Sequence, residues 1–184
     1  MRTAADAIVI ALSIAAAGLV MVAAQTNDQF TAKASIKGSS SSATADVTIS
    51  VTRYSSDQER AALIKAAQGA GAQQVLAGLN DAGYIQIGER RTPIKYAFRT
   101  ATESGELVTV ATAVPIVYLG AGLPDAKPTA GFDIAVAILD VKKDGGTGEL
   151  APGAKLTMEP SGALKLQDYG STVVWLNGLQ RTKG

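Results

Sequence analysis

Residues 45–60 read ADVTISVTRYSSDQER, and a change of periodicity inside this stretch decides the fold class. In its first part, Val47, Ile49 and Val51 alternate with hydroxyl-bearing side chains. Alternation with a period of two, with β-branched residues on both faces, is typical of a half-buried strand. We therefore predict a strand over Ala45–Arg53.

The second part of the stretch predicts a helix. Ser56 and Glu59 are spaced as a capping box, in which each side chain bonds the backbone N–H of the other residue. Apolar residues then recur at helical spacing as far as the glycines at 69–71, and a second short apolar stripe stops near Gly83. Two short helices are thus expected between strands.

The rest of the chain is dominated by short alternating segments separated by turns. The segment at 107–114 is predicted to continue past Pro115 into Ile116–Tyr118, with the proline at an edge or bulge. Further strands are predicted at 30–37, 84–87, 94–99, 107–114, 132–138, 155–159, 163–167 and 171–179. The fold class is therefore α+β, mainly β: an antiparallel β sandwich or open barrel with a two-helix insertion after the second strand.

The first residues have the composition of a secretion signal. Arg2 precedes the uncharged apolar stretch 7–22, and small residues follow as far as Ala24. We predict a signal peptide over 1–24, cleavage after Ala24, and a single strand-rich domain over 25–184 that is secreted or periplasmic. The alternative is an uncleaved membrane anchor, but the stretch is alanine-rich and no basic stop-transfer cluster follows it. The predicted contact with a membrane is transient, during export.

The composition excludes several classes of function. The chain has no histidine and no cysteine, which removes Cys/His zinc sites, thiol nucleophiles and the Ser-His-Asp triad. Lysine and arginine number 17 against 16 aspartates and glutamates, so no broad positive field exists to hold nucleic acid. We predict no nucleic-acid partner, no cofactor, no metal site and no catalytic residues.

The segment RYSSDQER at 53–60 resembles the R-[YW]-S-x-[DE]-x-E-R segment of an uncharacterised family of secreted bacterial proteins of acidobacterial type. Further matching stretches are KYA at 95–97, GTGEL at 146–150 and LQDYG at 166–170, in the same order. The family's T-[DS]-R-P-I segment reads TAVPI at 112–116 here, without the acid and the arginine. The resemblance implies secretion and a shared fold, and it implies no activity.

Four residues are candidates for contact with a ligand: Arg53, Tyr54, Arg60 and Tyr96. The two arginines could hold an anion near the helix start. In the structural alternative they pair with the acids of the first helical turn, and we favour it because the capping box already explains the spacing. Tyr96 could line an apolar pocket inside a barrel, or it could belong to the core.

These observations favour a non-catalytic exported module that binds a small apolar ligand or another exported protein. A lipocalin-like carrier of a small apolar ligand is the first alternative, and it requires a cavity of several hundred cubic ångströms. A carboxylate-dependent glycoside hydrolase is the second, and it requires two acids about 10 Å apart or closer in a cleft. Its candidate acids are Asp133, Asp140, Glu149 and Glu159.

Overall fold

The computed structural model describes residues 25–36, 43–69, 71–127, 130–158, 164–168 and 173–183. The predicted signal peptide, the four serines at 39–42 and the segment 160–162 between the strands predicted at 155–159 and 163–167 lie outside these ranges. The elements, in chain order, are β1 (Gln25–Ile36), β2 (Ala45–Arg53), α1 (Asp57–Ala67), α2 (Ala72–Gly78), β3 (Gly83–Ile87), β4 (Arg90–Thr102), β5 (Gly105–Thr112), β6 (Ile134–Lys142), β7 (Gly146–Met158), β8 (Leu164–Asp168) and β9 (Val174–Lys183).

Eight of the strands close into an antiparallel barrel. Strands β1 to β7 each pair with the next along the chain, and β9 lies between β1 and β7 to complete the ring. Strand β8 pairs with β7 beyond the part of β7 that pairs with β9. The mainly-β fold with a two-helix insertion after the second strand is confirmed. Of the two predicted architectures, the barrel is the one formed, and it is closed because β9 joins both β1 and β7.

Side chains from all eight strands fill the barrel. The predicted alternation in β2 places Val47, Ile49 and Val51 inward, where each is almost completely buried. A side chain at Gly148 would press against Leu139 and Leu176, so the interior is tightly packed at that level. Other large side chains of this core are Phe30, Ile85, Ile94, Leu150 and Leu179.

The two helices cover the outer surface of β4 to β7. Leu63 of α1 and Leu76 of α2 are buried in a second apolar core, together with Tyr96, Val136 and Ala151 from the outer face of the strands. The two cores therefore lie on opposite sides of the barrel wall. None of the helices in the described part of the chain is long and apolar enough to cross a membrane.

Residues 113–127, which we call the capping loop, fold over one end of the barrel. Ile116, Leu119 and Leu123 are buried in the interior core. The prediction that Ile116–Tyr118 continues a strand is wrong, because β5 ends at Thr112 and the backbone N–H of Ile116 instead donates to the carbonyl of Pro152. Gly120, with φ of +119°, lies so close to Ala45 that a side chain there would overlap it.

Candidate functional site

Arg53 fastens the helical insertion to the barrel. Its Nη1 atom lies 2.9 Å from Oε2 of Glu59, and its other guanidinium nitrogens donate to the carbonyls of Asn80 and Asp81. Burial opposes ionisation of Glu59, but the bonds from Arg53 and from Ser56 outweigh it and lower the pKa of the carboxyl. The predicted capping box is confirmed, and Arg53 makes the ion pair that the structural interpretation expects.

Arg60 and Tyr96 meet on the outside of the barrel, under α1. The Arg60 guanidinium lies 4.4 Å from the ring centroid of Phe98, which stacks on Tyr96. Burial raises the pKa of Tyr96 to about 12. Both residues therefore belong to the packing between helix and barrel wall, and Tyr96 faces the outer core rather than a pocket inside the barrel.

Tyr54 points to the other side of the wall, into the barrel. Its hydroxyl donates to Oδ2 of Asp28 at 2.7 Å, and only 4% of Asp28 is exposed. Burial, followed by this bond to a carboxylate, raises the pKa of Tyr54 above the ordinary range of tyrosine. The four candidates from the sequence thus occupy three places, and the structure does not bring them together.

Tyr54 belongs to a group that we call the ionic cluster, which lies at the end of the barrel opposite the capping loop. Asp28 has Arg99 and Arg181 at 4.0 and 3.7 Å, and Arg181 also pairs with Glu106. The guanidinium of Arg99 stacks on the ring of Tyr54 at 4.7 Å. Two positive and two negative charges therefore balance, which explains how a carboxylate can be buried here.

The capped end of the barrel carries a cleft of about 370 Å³. Its walls are the start of β4 and the capping-loop residues Pro115 to Tyr118, and its floor includes Ile85 and Ile87 of β3. Thr92 lines it too. This volume lies at the lower end of the range for small-molecule sites, about 300–1,000 Å³.

Two arginines of the β3–β4 hairpin border this cleft. Arg90 pairs with Ile87 across the hairpin, so it faces the barrel axis, and its guanidinium lies 4.7 Å from the ring centroid of Tyr118. Arg91 faces outward, where it stacks over Tyr84. Stacking on a ring fixes a guanidinium while leaving its N–H edge available for an acceptor.

The arginines at the cleft lack the carboxylate partner that three of the other four described arginines have; the fourth, Arg60, stacks on Phe98. Arg53, Arg99 and Arg181 each have a carboxylate within ion-pair distance. Across the described ranges, neither Arg90 nor Arg91 has one. The described residues that line the cleft include no acid. The cleft is thus an apolar-floored site bordered by unneutralised positive charge.

The acids considered for glycoside hydrolysis lie apart from this cleft. Asp140 and Glu149 occupy diagonal positions on the outer face of β6 and β7, and Asp140 pairs with Lys142. Asp133 is exposed just before β6, at the other end of that strand from Asp140, and Glu159 lies outside the described residues. Nowhere in the described ranges do three acidic side chains gather in a way that could hold a metal ion.

The sequence contains residues of the cleft that an analysis of its periodicity does not single out. Arg90 and Arg91 form a basic pair next to Glu89, and Tyr118 follows a proline in an apolar run. Nothing local indicates that these segments meet, because more than twenty residues separate them. Asp28 and Arg181 of the ionic cluster are further apart still, and only the pairing of β1 with β9 brings them together.

Comparison of the chain with known protein families, with curated proteins and with solved structures gives no match. The resemblance to secreted bacterial proteins therefore stays a prediction, and the function has to be argued from the geometry of the cleft and the cluster.

Proposed function

We propose that this chain is an exported, non-catalytic binding module and that its ligand is a small molecule held in the cleft at the capped end of the barrel. The observation that carries the proposal is the cleft itself: an apolar floor, a tyrosine and two arginines that no described carboxylate neutralises. Concave apolar sites with a few convergent polar groups are the usual form of a small-molecule site. Export remains an inference from the composition of residues 1–24.

Two features support the mouth of the barrel over its centre as the binding site. The central residues, such as Phe30, Ile49 and Leu139, are fully buried against one another, and Gly148 leaves room for no more than a hydrogen atom. At the opposite end, the ionic cluster pairs its charges internally. The barrel topology agrees with a lipocalin-like carrier, but the packing favours a ligand that rests at the rim rather than one enclosed by the strands.

Exposed apolar residues at the rim supply a matched pair of test variants. Val117 lines the cleft and is 44% exposed, whereas Val114 is 50% exposed and is not among the lining residues. An aspartate at either position remains solvated, so neither change should unfold the protein. Only Val117→Asp puts a charge against the apolar wall of the cleft.

The test is calorimetric titration of the purified mature chain with three soluble probes of equal chain length: decanol, decanoate and decyltrimethylammonium, each below its micelle concentration. We expect at least one probe to bind the wild type and the Val114→Asp variant alike. We expect Val117→Asp to weaken that binding by about tenfold, since it removes apolar contact. Failure of all three probes to bind, or equal weakening by both variants, would overturn the proposal.

A further inference from the structure

We infer that the ligand of the cleft is an anionic amphiphile, a molecule with a carboxylate-like head and a short apolar tail. This inference rests on the proposed function, because it names the class of ligand for the same site. It follows from how charge and apolar surface are distributed over the lining residues.

The head group is assigned by the charge of the cleft. Among the described residues that line it, the two charged ones, Arg90 and Arg91, are positive. Arg90 is the better placed of the two, because it faces the barrel axis and stacks on Tyr118, whereas Arg91 is engaged by the side-chain oxygen of Gln86 at 2.7 Å. A planar guanidinium held by an aromatic ring binds a carboxylate through two parallel hydrogen bonds.

The apolar tail of the ligand is inferred from the residues at the base of the cleft and on its capping-loop side. Ile85, Ile87 and Ile116 are apolar and buried around the base of the cleft, and Pro115 and Val117 complete the wall. A fully polar anion such as inorganic phosphate would leave the accessible apolar surface of Pro115 and Val117 without a partner. A ligand that places its head on Arg90 and its tail against Pro115 and Val117, above the buried isoleucines, satisfies both parts of the site.

The size of the cleft sets the length of the tail. A volume of about 370 Å³ accommodates a short chain or a single ring system. The packed interior prevents a longer tail from passing down the barrel axis, since Ile49 and Ile94 are almost completely buried below the cleft. The ligand class is thus a short amphiphilic carboxylate rather than a long-chain lipid.

The experiment compares the same three probes on the wild type, on Arg90→Gln and on Lys143→Gln. Lys143 is an exposed lysine in the turn between β6 and β7, at the opposite end of the barrel, so its replacement controls for the loss of one positive charge. Arg90 is exposed as well, so neither variant should impair folding. Circular dichroism and the unfolding midpoint verify that both variants are folded before binding is measured.

We expect the wild type to bind decanoate at least about tenfold more tightly than decanol, and decyltrimethylammonium most weakly. Arg90→Gln should remove this preference by weakening decanoate more than decanol, and Lys143→Gln should behave as the wild type. Added salt should weaken binding of decanoate but not of decanol. If decanol binds as well as decanoate, the proposed function stands and the anionic head is refuted; if no probe binds, the proposed function fails as well.

Discussion

At the scale of single residues, the most unusual group in the molecule is the carboxylate of Asp28. A buried carboxylate is costly unless hydrogen bonds and opposite charges compensate for its loss of water. Asp28 has both, because the hydroxyl of Tyr54 donates to it and Arg99 and Arg181 lie within 4.0 Å. The shortest of these contacts is the one from Tyr54, which makes the tyrosine hydroxyl the best place to test the cluster.

Replacement of Tyr54 by phenylalanine removes that hydroxyl and preserves the ring that Arg99 stacks upon. We expect the free energy of unfolding to fall by about 1.5–3 kcal/mol, the usual contribution of a hydrogen bond to a charged group. Urea unfolding at neutral pH measures the change. Tyr84→Phe is the control, because Tyr84 is half-buried on the outer face and its change should cost about 0.5 kcal/mol or less. Equal effects of the two changes would mean that Tyr54 does not hold Asp28.

At the scale of elements, the junction between β2 and α1 connects the barrel wall to the helical insertion. The capping box begins the helix shortly after β2 ends at Arg53, and Arg53 connects the same Glu59 carboxylate to the loop that returns to β3. One ionised side chain thus holds both ends of the helical insertion. Its lowered pKa means that the folded state prefers the ionised form.

The glutamate predicts a pH dependence of stability. A lowered folded-state pKa contributes stability that is fully present above the ordinary glutamate value of 4.5 and is lost as the pH falls through the folded-state value. We expect Glu59→Gln to lower the free energy of unfolding by about 1 kcal/mol at neutral pH. The gap from the wild type should narrow as acid is added.

Denaturant unfolding at a series of pH values tests this dependence, with Glu103→Gln in the exposed β4–β5 turn as the control. The control should show no gap from the wild type at any pH. A gap for Glu59→Gln that stays constant into the acid range would contradict a role for the charge and leave only a packing effect.

The sequence predicts this element well because its signals are local. Alternation in β2 and the S-x-x-E spacing each depend on neighbours within a few residues, and both are confirmed. The strand predicted at 116–118 is wrong for a related reason: its apolar pattern suits a strand, but its residues pack against the barrel end through contacts that are distant in sequence. The candidate site therefore could not be predicted beyond its separate parts.

At the scale of the whole molecule, closure of the barrel is the property that local sequence patterns do not predict. Whether strands make a sandwich or a barrel depends on the pairing of the first and last strands, here β1 with β9. That pairing closes the ring of eight strands, with β8 outside it, and brings Arg181 to Asp28. The same closure joins the ionic cluster into one group. Disruption of the pairing of β1 with β9, which we call the seam, should therefore also separate Arg181 from Asp28.

Closure also predicts that the domain tolerates circular permutation. Lys183 lies opposite Gln29, so a linker of about six residues reaches from the end of β9 to the start of β1. A permutant with new ends at the exposed turn 103–104 should keep the circular dichroism spectrum and cooperative unfolding of the unpermuted domain, because every strand pairing is retained. A second permutant, opened between Ile49 and Ser50, interrupts β2 at its buried centre and should not fold. If the turn permutant unfolds as readily as the β2 permutant, the seam between β1 and β9 does not close the barrel in solution.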